Sequence, residues 1–311
     1  MMDELPLEQV TTLLAVVDEG TFDAAAAALH VTPSAVSQRV KALEQRTGRV
    51  LLMRTKPVRP TESGRVLVRF ARQLSLLERD ARAELGLTEG AAGAGNAVRL
   101  AVAVNADSLA TWFLPALSHL PQDPPICVEL RREDEGHTTA MLREGRVMAA
   151  VTSSPDPVAG CTVRALGLAR YLPVASPEFE ARYLSEGRLV DCLQKAPVIA
   201  FDRKDDLQDG FVRSLAGGEE GATGQGASPV RHYVPTSEGF CDAIIAGLGW
   251  GLVPEQQAVP LLRAGALSLL ATDRTVDVPL YWQQWKLDSP ALAAVADAVL
   301  ATAAAELLAA R

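Results

Sequence analysis

Residues 21–48, TFDAAAAALHVTPSAVSQRVKALEQRTG, read as two short helices with punctuation at each end. Thr21 is a good N-cap, and Asp23 sits in the first turn, where the helix dipole favours a negative charge. An alanine-rich helix follows and stops near His30. Thr32 then caps a second helix, Pro33 fits its first position, and Gly48 fits just past its end. On this second helix Val36, Val40 and Leu43 recur at i, i+4 and i+7 and form a core stripe. Ser34, Ser37, Gln38 and Lys41 share another face, which is short, polar and free of acids. Amide and hydroxyl groups on such a face can reach base edges in the DNA major groove. The bland alternative is a solvated face on an ordinary amphipathic helix.

Charge favours the first reading. From Val31 to Arg72 there are ten bases (Arg39, Lys41, Arg46, Arg49, Arg54, Lys56, Arg59, Arg65, Arg69 and Arg72) and two acids (Glu44 and Glu62). The whole chain carries a net charge of −8, and residues 1–30 hold no lysine or arginine. A basic island beside a capped helix pair is the electrostatic footprint of phosphate binding.

The run Ala24-Ala25-Ala26, Leu29, Val31-Thr32-Pro33-Ser34-Ala35-Val36-Ser37-Gln38-Arg39-Val40, Leu43-Glu44 resembles the DNA-binding signature of LysR-type transcriptional regulators. Leu51-Leu52-Met53-Arg54 sits where that family usually has Leu-Phe-x-Arg, and the departure at Leu52 alters packing only. The chain length fits the family, and the resemblance covers the whole chain.

At 311 residues the chain is long enough for two or three domains. Its 48% hydrophobic content supports a sizeable core. No uninterrupted apolar run of membrane-spanning length occurs, and MMDELPLEQV lacks the layout of a signal peptide, so a cytoplasmic location is expected. Cys127, Cys161, Cys192 and Cys241 are isolated, which argues against a metal site and for reduced thiols, and no cofactor is expected.

Residues 5–19 form a first helix, with Val10, Leu13, Leu14 and Val17 as its buried face and Gly20 at its end. Residues 49–60 read as a wing, strand-like at Val50-Leu51-Leu52 and then a rigid basic turn at Lys56-Pro57-Val58-Arg59-Pro60. Arg54, Lys56 and Arg59 there suit phosphate or minor-groove contacts, and Arg39 suits the DNA backbone. Thr61 caps a long helix running to about Leu85. Leu67, Phe70, Leu74, Leu77, Ala81 and Leu85 give it a near-heptad seam. The seam could pack on the chain's own body, but a dimer is favoured, because two half-sites need two copies. Residues 86–96 are rich in Gly and Ala and read as a hinge. The expected units are therefore a winged helix-turn-helix (1–60), a dimerising linker helix and hinge (61–96), and an effector-binding domain (97–311).

Beyond residue 97 strand-like and helical runs alternate, which argues for an α/β sheet with largely parallel strands and ligands at helix N-termini beyond strand ends. The strand-like runs are 97–104, 126–130, 147–151, 171–175, 197–201, 250–253 and 278–282. The family resemblance implies two Rossmann-like α/β subdomains of periplasmic-binding-protein type, 97–161 with 272–311 and 162–271, enclosing a cleft.

Three stretches could bind an effector there. Asp107-Ser108 opens a helix, with Thr111 one turn on. Thr236-Ser237 opens another. Asp202, Asp205 and Asp206 follow a strand end and could neutralise a cation, although a solvated acidic loop is the plainer reading. Residues 91–311 hold 18 bases and 26 acids, a balance that favours a cationic ligand.

These stretches, with Tyr281-Trp282 and Trp285, resemble the basic-amino-acid-sensing (ArgP/LysG) branch of the LysR family. The resemblance implies a regulator responsive to L-lysine or L-arginine and activating an exporter gene. Ser108, Thr111, Thr236 and Ser237 would hold the α-carboxylate or α-amine, and Asp107, Asp202 or Asp206 the cationic end. The implied partners are double-stranded operator DNA and further copies of the chain in a dimer or tetramer, with RNA polymerase an open addition and no membrane. An enzyme is disfavoured, since no metal set, G-x-S-x-G, phosphate-cradling loop or Ser/His/Asp set occurs. The remaining alternatives are an architectural or replication-inhibiting DNA binder without an effector, and a LysR-type regulator with another effector.

Overall fold

The computed structural model describes residues 5–87, 97–123, 125–132, 135–216 and 225–309. Three helices open the chain: α1 (Leu7–Glu19), α2 (Phe22–Ala28) and α3 (Pro33–Thr47). Gly20 closes α1 in the left-handed region at φ 73°, and Gly48 closes α3 at φ 63°. The Thr21 hydroxyl accepts from Ala24 N at 3.1 Å, and Thr32 accepts from Ala35 N at 3.2 Å. Val36, Val40 and Leu43 are buried against α1 as their spacing predicts. On α1 the buried set is Val10, Thr12, Leu13 and Val16, while Leu14 and Val17 are half-buried. The wing is a two-residue antiparallel pair, β1 (Leu52–Met53) with β2 (Arg59–Pro60). Val58 N donates to Gly20 O at 2.8 Å and ties the wing to the helices.

Helix α4 (Glu62–Glu84) follows. Thr61 caps it, accepting from Gly64 N at 3.1 Å, and also donates to Val50 O at 2.7 Å. One face of α4 serves both ends of the molecule. Val68 and Ala71 complete the helix-turn-helix core, and Leu76 enters the large core of the C-terminal domain. Arg65 pairs with Glu144 at 3.1 Å, and Arg72 binds both Asp18 of α1 and the Gly145 carbonyl. The close approach needs a glycine: at Gly145 (φ 71°) a Cβ would lie 2.8 Å from Arg69 Cα. Of the seam residues, Phe70, Leu77, Ala81 and Leu85 are exposed, with Val66 beside them, and Leu67 and Leu74 are half-buried. From residue 88 onward the expected hinge lies outside the described residues.

The C-terminal domain has two lobes. The first holds β3 (Val98–Val104), α5 (Ala106–Ser108), a π-helical turn (Leu109–Phe113), α6 (Leu114–Leu117), β4 (Ile126–Arg132), α7 (Glu135–Arg143) and β5 (Ala149–Thr152). The chain crosses over on β6 (Cys161–Ala175). The second lobe holds α8 (Pro177–Tyr183), α9 (Leu189–Leu193), β7 (Val198–Ala200), α10 (Leu207–Leu215), β8 (Arg231–Tyr233), α11 (Ser237–Ile245), β9 (Gly251–Pro254), α12 (Glu255–Arg263) and β10 (Ser268–Leu269). The chain returns on β11 (Val276–Trp285) and ends in α13 (Pro290–Glu306).

The main sheet runs β10-β6-β11-β5-β3-β4, with β9 also on β6. The expectation of largely parallel strands needs correction. β3 pairs in parallel with β4 and β5, and β7 with β8, but β6 and β11 are antiparallel to all their partners. The chain must travel between lobes and come back, so its two long strands oppose each other. From Cys161 to Tyr171, β6 pairs with β11, and from Tyr171 to Val174 it pairs with β9. The change of partner along β6 therefore lies at Tyr171. Trp112, Trp282 and Trp285 fill the large core, and Ile199, Phe240 and Ile244 anchor a second cluster under α11.

Candidate functional site

On the N-terminal unit Ser34, Ser37, Gln38 and Lys41 are all exposed along α3. Their spacing of three and four places them on one side, opposite the Val36, Val40 and Leu43 stripe. Arg39 is half-buried and pairs with Glu8 of α1 at 2.5 Å. Arg54, Lys56 and Arg59 are exposed along the wing, where the Thr55 hydroxyl donates to Pro57 O at 2.7 Å and tightens the turn. The N-terminal unit thus presents a basic, water-exposed surface around one polar helix face.

A cavity of about 400 Å³ opens between the lobes. It sits beyond the C-terminal ends of β3, β5 and β7 and at the start of α11, the usual place for a ligand in an α/β sheet. Asp107 forms part of its wall, and its two oxygens are separately held. Tyr171 donates its hydroxyl to Asp107 Oδ2 at 2.8 Å, and Ser237 donates to Oδ1 at 2.7 Å. Ser237 Oγ also lies 3.0 Å from Gln257 Oε1, so its single proton serves one of the two acceptors. Among the described residues no ion pair is formed by Asp107. Burial pushes its pKa up, the hydrogen bonds from Ser237 and Tyr171 oppose that rise, and the Glu238 carboxylate adds to it.

The loop after β7 forms the facing wall. Asp202 accepts from the amides of Lys204 at 2.6 Å and Asp205 at 3.0 Å. Asp205 accepts from Phe201 N at 2.8 Å and Leu207 N at 3.1 Å, yet burial still raises its pKa. Asp206 lines the cavity at the start of α10. Four carboxylates thus meet one lysine, Lys204, around this space, while Phe201, Phe240 and Leu252 supply apolar surface. A guest with an extended cationic arm suits both the size and the charge. Cys241 is also in the wall, and its thiol is pushed up to about 11, first by burial and then by Asp107, Asp242 and Glu238. The thiol therefore stays protonated at neutral pH. Among the described residues no cluster of potential metal ligands occurs, and no helix is long and apolar enough to cross a membrane.

Of the seven candidate effector residues, Asp107, Asp202, Asp206 and Ser237 line the cavity. The other three act behind it. Ser108 is buried at the start of the π-helical turn, Thr111 donates to Asp107 O at 2.6 Å, and Thr236 caps α11 by accepting from Gly239 N at 3.2 Å. Tyr281, Trp282 and Trp285 are outside the lining, and the two tryptophans are core. Sequence reasoning misses Tyr171, Ser153, Ser154 and Gln257. Tyr171 is visible only as a residue in a strand, and nothing local marks it as a partner for a carboxylate 64 positions away. Gln283, equally unmarked, holds the 154–158 loop by donating to Ser154 O and Asp156 O and accepting from Val158 N.

Comparison with known proteins covers both halves. Residues 7–65 match the bacterial regulatory helix-turn-helix proteins of the lysR family, and residues 93–304 match the LysR substrate binding domain. The lysine export transcriptional regulatory protein LysG of Corynebacterium efficiens is 47% identical, over 95% of this chain and 97% of its own length. The crystal structure of ArgP from Mycobacterium tuberculosis superposes with a TM-score of 0.86 at 46% identity, covering 97% of this chain and 98% of that one. Full-length LysG from Corynebacterium glutamicum with bound effector Arg gives a TM-score of 0.76 at 43% identity, covering 97% of this chain and 99% of that one. The agreement extends from the helix-turn-helix through the linker helix to the two-lobed domain, and the chain belongs to the LysR family of bacterial transcriptional regulators, which are not enzymes.

Proposed function

We propose that the protein binds operator DNA under the control of a basic amino acid, L-lysine or L-arginine, and activates a gene for amino-acid export. The observation that carries this reading is Asp107, a carboxylate buried in an acid-lined cavity, held by two hydroxyls and without an ion-pair partner among the described residues. A guanidinium or ammonium group would supply the missing charge. The names of relatives concerned with lysine export, and the arginine bound to one of them, support the same guest. Asp107, Asp202, Asp206 and Ser237 would touch the ligand. Ser108, Thr111 and Thr236 would position the helix starts that carry those groups. Closure of the lobes around the guest would then alter how α4 presents the N-terminal unit.

On DNA, Ser34, Ser37, Gln38 and Lys41 would meet base edges, and Arg39, Arg54, Lys56 and Arg59 the backbone. Arg39 would exchange Glu8 for a phosphate. The exposed apolar residues of α4 (Val66, Phe70, Leu77 and Leu85) would pair with a second copy, so that two recognition helices address two half-sites. The work would be done in the cytoplasm, without a cofactor.

Thermal melting of the full-length protein tests the effector. A ligand that prefers the folded state adds about 2.7 kcal/mol of stability at a hundred times its Kd. Lysine or arginine should therefore raise the Tm, and uncharged or acidic amino acids should not. No shift with either would leave an effector-independent DNA binder, whereas a shift with another compound would retain the cavity and replace its guest.

A further inference from the structure

We propose that a second small-molecule site lies at the seam between the DNA-binding unit and the C-terminal domain, and that it takes a multiply charged oxyanion of the phosphate class. A cavity of about 390 Å³ is enclosed there by α1, α4, β3, β4 and the loop after α7. Five arginines line it (Arg72, Arg79, Arg99, Arg131 and Arg146) against two acids, Asp18 and Glu129. In a chain of net charge −8 this local excess of positive charge needs a counterpart.

The two acids are already engaged. Arg72 binds Asp18, and Arg131 lies 2.8 Å from Glu129. The other three guanidinium groups, Arg79, Arg99 and Arg146, have no acid of the cavity wall as partner. Among the described residues Arg146 pairs only with Glu144, at 4.0 Å, and that carboxylate is held at 3.1 Å by Arg65. Arg79 lies 3.6 Å from Asp80, its chain neighbour, which is not part of the cavity wall. Among the described residues Arg99 forms no ion pair.

Hydrogen-bonding capacity points the same way. Arg79 Nε and Nη2 and Arg131 Nε are shielded from solvent and make no hydrogen bond among the described residues, Asp80 standing 3.6 Å from Arg79 Nη2, beyond hydrogen-bond reach. Buried donors without acceptors are costly, and charged ones more so. A single carboxylate offers two oxygens, too few for three guanidinium forks. A phosphate or diphosphate offers three or more, in the geometry that arginine binds in bidentate fashion. Its occupant would touch α1 and α4 on one side and β3, β4 and Arg146 on the other. The site is separate from the acid-lined cavity and does not depend on the guest proposed there.

The test is isothermal titration of the full-length protein with inorganic pyrophosphate at constant ionic strength. The basic DNA-reading surface is an obvious competitor for such an anion, so two double variants are compared. Saturable binding by the wild type should weaken at least about tenfold in Arg79→Gln/Arg99→Gln and stay unchanged in Arg54→Gln/Arg59→Gln. Arg79→Lys/Arg99→Lys, which keeps the charge, should retain part of the affinity, and Arg146→Gln alone should lower it if the glutamine pair fails to fold. A parallel titration with a nucleoside triphosphate distinguishes a nucleotide from a free phosphate species, since a base that contributes would bind tighter than pyrophosphate. Absence of saturable binding, or a loss that follows the wing variant and spares Arg79→Gln/Arg99→Gln, would overturn the proposal.

Discussion

Helix α3 and the cavity between the lobes both present polar groups to a ligand, but their resting states differ. Ser34, Ser37, Gln38 and Lys41 face water, which satisfies them when no DNA is near. Asp107 is buried, and among the described residues its side chain is met by the hydroxyls of Tyr171 and Ser237. On the proposed reading, DNA recognition by α3 would be an exchange of water for bases, with each contact adding modestly. In the cavity the buried carboxylate carries a desolvation cost, which the proposed cationic guest would relieve. Substitutions in the cavity should therefore have larger effects on binding, and opposite effects on the stability of the empty protein.

Asp107→Asn breaks this contrast most directly. Arginine or lysine affinity should fall by about 100-fold, or ~3 kcal/mol, as for the loss of one partner in a buried charge pair. Isothermal titration reads this. The empty variant should melt at or above the wild-type temperature at neutral pH. Asp107 has a folded pKa raised above its ordinary 3.8, so between those two values the folded state holds the extra proton. Stability from this group is present below 3.8 and is lost as pH rises through the raised value. Wild-type stability relative to the variant should therefore decline with rising pH across that window, while affinity for a cationic ligand climbs.

Gln38→Ala should come next, costing ~1–3 kcal/mol of preference for the operator over unrelated DNA and leaving non-specific binding unchanged. Competition gel shifts measure the ratio. Thr236→Ala separates support from contact: loss of the α11 cap should lower stability by ~1 kcal/mol in denaturant melts with little change in ligand affinity. The smallest effect belongs to Arg59→Gln. It should weaken all DNA sequences alike and reduce the slope of log affinity against log salt by about 1. A change in preferred sequence would instead put the wing into base reading.

The DNA-binding half is legible in the sequence because its signals are local. Thr21 and Thr32 immediately precede the helices they cap, Gly20 and Gly48 close α1 and α3, and the valine and leucine spacing on α3 marks its buried side. The cavity is legible only in part. Asp107, Asp202, Asp206 and Ser237 can be suspected from their positions at helix starts and strand ends. That Ser237 binds Asp107 across 130 residues depends on the lobe arrangement, which no short window encodes. The first ten residues of β6 show why strands are harder. Arg164, Arg170 and Gly167 interrupt the apolar pattern, and pairing with β11 makes them a strand nonetheless. Strand direction is equally silent in hydropathy, so antiparallel β6 and β11 cannot be told from parallel ones.

The unbroken course of β6 from one lobe into the other has a mechanical corollary. A loop between lobes would let them swing apart freely, whereas a continuous strand resists bending and yields most readily in torsion about its own length. Tyr171 sits where β6 changes partners, with its hydroxyl on Asp107. A guest that competes for that carboxylate would thus apply its torque at the axle, where a small rotation moves both rims.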